Sequence, residues 1–267
     1  MKIYVAVDME GISGITSPDQ CTKGNALYDE GRKLMAGDVN AVVEGALAGG
    51  AEEIIVADLH DGSNNISPFD LHPKAKLMSG VPFTFALLPC LDDSFDGVFF
   101  VGFHAKAGTL HAICEHTVNS SSWFKLVVNG EEMGEVGFCA ALAGERGVPV
   151  LLVAGDDKVC AEARKLLGPI ETGQVKIGLG RHRGLCLSPE ESANVLKEAA
   201  QKALRLKDKV KPFTLGSPVE VRLTYKHTHL ADAAQIDHPQ AERVDGYTLA
   251  LRVERLSDWF GNWRKLP

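Results

Sequence analysis

A buried strand that ends in acid sets the terms for this chain. Residues 2–14 read KIYVAVDMEGISG. The apolar run Ile3 to Val7 has the composition of a buried strand and stops abruptly at Asp8, with Glu10 two residues on and Gly11 and Gly14 behind it. An unpaired charge beside a core is costly, so the two carboxylates either face water in a turn or are held by something positive.

The pattern recurs. Ile54 to Ala57 is a second short apolar strand, followed by Asp58 and His60, and Val98 to Val101 is a third, with His104 just beyond it. A helical pattern at Tyr28 to Leu47, closed by Gly49 and Gly50, separates the first two. Further on, Val148 to Ala154 is the most hydrophobic strand. Helices follow at about Lys158 to Leu167 and, opened by Pro189, at Pro189 to Leu206. This alternation predicts an α/β fold, a three-layer body with a mostly parallel sheet. Lys207 to Pro218, rich in Lys, Pro and Gly, marks a boundary between residues 1–210 and 211–267. Beyond it Val219 to Tyr225 and Tyr247 to Val253 alternate apolar and polar residues, the sign of half-exposed antiparallel strands in a small C-terminal α+β module. Between the two regions Trp123 to Val128 reads as a strand, Asn129-Gly130 as a tight turn, and Glu131 to Glu135 as the entry to a helix over Val136 to Arg146.

In open α/β sheets the carboxyl ends of the strands line the ligand crevice. That topology gathers Asp8, Glu10, His60 and His104, a mixed nitrogen and oxygen donor set that suits zinc, and also manganese or iron. The donors exceed what one catalytic ion needs, which points to two metals with a carboxylate such as Asp8 between them. Asp58 reads as a loop-capping residue that holds the His60 imidazole. Asp156 and Asp157 are explained as caps of the helix that follows. The residues by themselves do not choose among Glu131, Glu132 and Glu135, nor among His111, Glu115 and His116 for an acid–base group.

Composition narrows the class. The formal net charge of −7 argues against nucleic acid, since phosphate binding needs a basic face. No stretch approaches the roughly 20 apolar residues of a membrane helix. The N-terminus enters a strand directly, without a signal-peptide pattern, and six scattered cysteines without metal-site spacing fit free thiols in the cytoplasm. A di-metal phosphoesterase or amidase is the alternative enzyme, although phosphate chemistry calls for basic groups near the ions and only Lys106 lies close in sequence. A non-catalytic peptide-binding protein of a transport system is the other alternative. It would be expected to carry a signal or lipid anchor.

The motifs in order resemble peptidase family M55, the zinc-dependent D-aminopeptidases. The family's opening S-x-D-x-E-G is matched by Ala6-Val-Asp8-Met-Glu10-Gly11, with Ala in place of Ser. The likeness continues through Asp58-Leu-His60, Asn64-Asn65, Gly102-Phe-His104, Asn129-Gly130, Gly134-Glu135-Val-Gly137 and Val153-Ala-Gly-Asp-Asp157. The resemblance implies that Asp8, Glu10, His60, His104 and Glu135 hold two zinc ions per subunit, with Asp8 bridging. It implies His116 as the catalytic histidine, with His111 as the fallback. It further implies hydrolysis of the N-terminal residue of short, D-amino-acid-containing peptides and assembly as a homo-oligomer, a decamer.

Overall fold

The computed structural model describes residues 1–80 and 88–263. Chain order begins with β1 (Lys2–Val7), a single-turn α1 (Pro18–Cys21) and the long α2 (Tyr28–Ala48). There follow β2 (Glu53–Asp58), β3 (Ala75–Met78), β4 (Gly97–Phe103), β5 (Trp123–Val128) and β6 (Glu131–Met133). Next come α3 (Glu135–Gly144), β7 (Val150–Asp156), α4 (Asp157–Leu167), β8 (Glu171–Gly180), β9 (Arg183–Cys186) and α5 (Pro189–Ala203). The chain finishes with β10 (Val219–Tyr225), α6 (Thr228–Asp237), β11 (Glu242–Arg243), β12 (Thr248–Val253) and α7 (Leu256–Trp263).

Seven strands form one sheet in the order β3-β2-β1-β4-β7-β8-β9, parallel except for the final β8–β9 pair. The apolar runs read from the sequence are its centre: β4 and β7 are buried at every position, as strands covered on both faces must be. Helices α2 and α5 pack on each other on one side, and α3 and α4 pack on β4, β7 and β8. Right-handed crossovers, from β1 through α2 to β2 in one direction and from β7 through α4 to β8 in the other, put these helices on opposite faces. The order reverses at β1, which has β2 on one flank and β4 on the other. A crevice opens at such a switch point, beyond the carboxyl ends of the two strands that flank it.

A second, antiparallel sheet runs β11-β12-β10-β5-β6. The two alternating segments after Pro218 pair directly, Val221 opposite Leu251. β10 then pairs with β5, so this sheet draws strands from both sides of residue 210. One expectation fails here. Glu131 and Glu132 lie in β6, which returns antiparallel to β5 across the Asn129-Gly130 turn, and the helix starts only at Glu135. Both turn residues have positive φ (50° and 85°), the conformation of a two-residue hairpin, and a hairpin requires a strand on each side.

Two backbone approaches bring β1 and β4 together at their ends. The Asp8 amide donates to the Val101 carbonyl at 2.9 Å and the Gly11 amide to the Gly102 carbonyl at 2.7 Å. A Cβ at Gly11 would lie 1.9 Å from the Phe103 carbonyl oxygen, and one at Gly102 (φ +72°) 2.1 Å from that of Asp8. Only glycine allows the two loops to cross so closely.

Behind this crossing, Asp38 of α2 is buried and ties the β1 loop to α5. It accepts from the Ser13 amide at 3.0 Å and from the Ser192 hydroxyl at 2.7 Å. Burial pushes its carboxyl from the usual 3.8 up to about 6, against the pull of those hydrogen bonds and of the Lys176 charge. The folded state therefore binds the proton more tightly than the unfolded chain. This favours folding fully below about pH 4, and the contribution is lost as pH rises through 6. Two units correspond to about 3 kcal/mol. Urea unfolding should show wild type losing about that much relative to Asp38→Asn between pH 4 and pH 7; a pH-independent difference would refute a buried, raised carboxyl.

Candidate metal centre and active site

Asp8 follows β1, His60 follows β2 and His104 follows β4, so the three neighbouring parallel strands deliver their terminal side chains to one place. Asp8 Oδ1 lies 3.0 Å from His60 Nδ1, and Asp8 Oδ2 lies 3.4 Å from His104 Nε2. Glu10 Oε2 approaches the same His60 nitrogen at 3.1 Å. Glu135, the first residue of α3, enters from the hairpin side, with Oε1 at 3.1 Å from His104 Nε2 and 3.5 Å from His116 Nε2. The rings of His104 and His116 stack, centroids 3.9 Å apart.

Each histidine has one ring nitrogen fixed on a backbone carbonyl. His60 Nε2 lies 2.9 Å from the Cys21 oxygen, His104 Nδ1 3.0 Å from that of Ala105, and His116 Nδ1 3.0 Å from that of Cys114. A carbonyl only accepts, so those nitrogens carry the hydrogen, and in the neutral ring the other nitrogen presents a lone pair. All three lone pairs then point at carboxylates, an arrangement that repels unless positive charge lies between. Asp8 Oδ2, Glu10 Oε2 and His104 Nε2 are moreover buried without a hydrogen-bond partner. Asp8, Glu10 and His104 form one group whose donor atoms lie within 4.8 Å of one another, and His104, His116 and Glu135 form another. The residues present fit a metal centre: neutral imidazoles oriented by their outer hydrogen bonds, carboxylates of both chelating arms, and orphaned donor atoms.

Without an ion the same need is met by protons. Burial pushes His104 down, but Glu135, Asp8 and Glu10 outweigh it and raise the imidazole to about 10. His60 likewise lies well above its ordinary range, burial being overcome chiefly by Glu10 and Asp8. Asp8 is raised to about 6 by burial and the neighbouring Glu10 charge. Glu135 is held at about 2, burial being outweighed by His104 and His116.

Of the groups left open by sequence, Glu135 joins the cluster. Glu132 faces Lys106 and Lys125, at 3.4 and 3.5 Å. His116 lines the cavity; His111 is exposed and does not. Glu115 pairs with Arg181. Asp58 caps its loop, accepting from the Asn65 amide at 2.5 Å, the Asn65 side chain at 2.9 Å and the Ile66 amide at 2.9 Å. It does not hold the His60 ring, which is oriented by the Cys21 carbonyl. Asp156 is the N-cap of α4. Asp8, Glu10, His60, His116 and Glu135 line a cavity of about 510 Å³, whose walls also include Thr22, Asn119, Ser120, Arg181 and His182.

Fold and site together define an α/β metalloenzyme. The chain belongs to the M55 family of D-aminopeptidases, whose family model matches residues 1–264. A D-aminopeptidase of Bacillus subtilis (strain 168) is 39% identical over 214 residues, 80% of this chain and 77% of that protein. The solved structure of the Zn-dependent D-aminopeptidase DppA from Bacillus subtilis, described as a self-compartmentalizing protease, superposes with a TM-score of 0.94. It is 34% identical, and the match covers 98% of this chain and 95% of that one.

One supporting residue had no signal in the sequence. Lys176 of β8 is 2% exposed and donates to the carbonyls of Glu10, Ile12 and Ile15 at 2.5, 2.8 and 2.7 Å. Those carbonyls come from one loop, the loop that carries Glu10, and all three of the ammonium's hydrogens are used. Lys176→Met strips the donor from three inward-facing carbonyls and should destabilise the metal-free protein by roughly 3 kcal/mol in urea unfolding. An unchanged midpoint would show that the loop does not depend on the ammonium.

Proposed function

We propose that this chain is a two-zinc aminopeptidase that releases the N-terminal residue of short, D-residue-containing peptides. The observation that carries the reading is the double exposure of Asp8, one carboxylate oxygen toward His60 and the other toward His104. One ion would be held by Asp8, Glu10 and His60 and the second by Asp8, His104 and Glu135. Zinc bound there supplies a Lewis acid that polarises the scissile carbonyl and makes a water nucleophilic at neutral pH.

The chain's own groups do the rest. Asp8, Glu10, His60, His116 and Glu135 all line the cavity, which puts the cluster within reach of a bound peptide. His116 offers Nε2 as the base, because Nδ1–H is committed to the Cys114 carbonyl and the ring is held flat on His104. It takes a proton from the attacking water and returns it to the leaving amine nitrogen. Lys106, the basic residue nearest the ligands in sequence, is paired with Glu132, and the phosphoesterase alternative is disfavoured by membership of the D-aminopeptidase family. Preference for D-residues rests on membership of the family.

We further propose that the subunit assembles into a homo-oligomer, a decamer by the family resemblance. The description of the similar structure as self-compartmentalizing supports this, as do the fully exposed Phe69 and the largely exposed Leu110 and Ile236. Among the described residues no helix is long and apolar enough to cross a membrane. The six free cysteines fit the reducing cytoplasm.

Elemental analysis of zinc-reconstituted protein should find two ions per subunit in wild type and at most one in Asp8→Ala; full retention by the variant would remove Asp8 from the centre. Reconstituted enzyme should cleave D-alanine p-nitroanilide and leave the L-isomer largely intact, and the reverse preference would overturn the substrate assignment. His116→Ala should lower kcat by roughly 10²–10⁴-fold with zinc content unchanged. Loss of zinc in that variant would instead make His116 a ligand, as its proximity to His104 and Glu135 also permits.

A further inference from the structure

Two asparagines follow His60 in the loop after β2. Asn64 is exposed, whereas Asn65 is 2% exposed and lies beside the fully buried Asp58. Neither is among the donors of the metal centre, yet every polar atom of Asn65 has a partner. Its backbone amide donates to Asp58 Oδ2 at 2.5 Å. Its side-chain Nδ2 donates to Asp58 Oδ1 at 2.9 Å and to the His60 carbonyl at 2.6 Å. Its Oδ1 accepts from the Tyr28 hydroxyl at 2.6 Å, and its backbone carbonyl accepts from Arg32 Nε at 2.6 Å.

These neighbours fix which way the amide points. The Asp58 carboxylate and the His60 carbonyl only accept, so the nitrogen faces them and the oxygen is left to the Tyr28 hydroxyl. Asn65 therefore joins three parts of the fold: the first turns of α2, the end of β2 and the loop that carries His60. His60 is held at two points. Its ring Nε2 lies on the Cys21 carbonyl, and its own backbone carbonyl accepts from Asn65 Nδ2 and, at 2.9 Å, from the Ser63 amide. With ring and backbone both tied, Nδ1 is held toward Asp8 Oδ1 and Glu10 Oε2, at 3.0 and 3.1 Å.

We propose that Asn65 is a positioning residue of the metal centre. It passes the hold of Asp58 and α2 to the His60 backbone, and so sets the affinity of the ion bound by Asp8, Glu10 and His60. The proposal rests on the two-zinc reading of the site. Asp58 reaches His60 by this route, through a side-chain amide and a carbonyl and not through the ring. The Ser63 amide stays on the His60 carbonyl when Asn65 is changed, so the loop is loosened and not lost.

The test measures zinc affinities by competition with a chromophoric chelator, and urea midpoints of the metal-free protein. Asn65→Asp keeps the size of the side chain and its contact with Tyr28, but turns an acceptor toward Asp58 and the His60 carbonyl. It should weaken one of the two ions by roughly 10- to 100-fold, the usual worth of a group one step behind a metal ligand, with the other ion unchanged. The urea midpoint should fall as well, because two buried carboxylates then face each other. In the exchanged pair, Asp58→Asn with Asn65→Asp, donor and acceptor trade places. The contact between the two positions is restored and the midpoint returns toward wild type. The His60 carbonyl still lacks its side-chain donor, so the weakened ion should stay weak. Zinc affinity that returns together with the midpoint would show that Asn65 acts through stability alone, and it overturns the proposal. So do two wild-type affinities in Asn65→Asp. Should that variant fail to fold, the exchanged pair decides by itself, and wild-type affinities there overturn the proposal. Wild type that binds two zinc ions alongside unaffected variants removes only the Asn65 assignment, whereas wild type that binds none removes the two-zinc reading with it.

Discussion

Three carboxylates and three histidine lone pairs are forced to share one small space, and only interposed positive charge makes that tolerable. Asp8, Glu10 and Glu135 sit within 3.0 to 3.5 Å of ring nitrogens whose opposite faces are already committed. Neither set can turn away. The carboxylates come off strand and helix ends, and the imidazoles are tied to backbone carbonyls. Buried charge of one sign is expensive, so the fold has built the demand for a cation into its sheet. β1 and β4 pair in register up to Val7 and Val101, and the crossing of Gly11 over Gly102 continues that close approach into the loops that carry Glu10 and His104.

The parts of this arrangement that depend on strand termini could be read in the sequence. Apolar runs that stop at Asp8, Asp58 and just short of His104 define parallel strands and, through them, a common edge. The hairpin was half visible: Asn129-Gly130 demands strands on both sides, but three glutamates in the next five residues imitate the acidic first turn of a helix and mask β6. Partners supplied by the backbone left no trace. The Cys21 carbonyl that orients His60, and the three carbonyls gathered by Lys176, could have belonged to any residue type. Asp58 shows the same limit: its capping role follows from its position, whereas its partners Asn65 and Ile66 follow only from the loop's path.

Orientation by backbone gives the site a particular kind of rigidity. A side-chain partner can change rotamer, but a carbonyl moves only with its loop. Lys176 binds the Glu10 loop from below and Asp38 binds it to α2 and α5. The geometry that receives metal is thus held by hydrogen bonds that need no metal. Arg181 is bonded in the same way, through backbone groups of Cys114 and Glu115 in the segment that ends in His116.

The hairpin β5–β6 lies in sequence between His116 and Glu135, and its sheet neighbour is β10. Trp259 and Phe260 of α7 press on Phe138, one turn along the helix that Glu135 begins, and Trp259 also meets Trp123 of β5. Among the described residues none after 218 lines the cavity, yet the last strands and helix form the footing on which the Glu135 carboxylate stands. The C-terminal segment and the centre are therefore in mechanical series. A change that lifts β10 or α7 would be felt first at Phe138 and, through the first turn of α3, at Glu135.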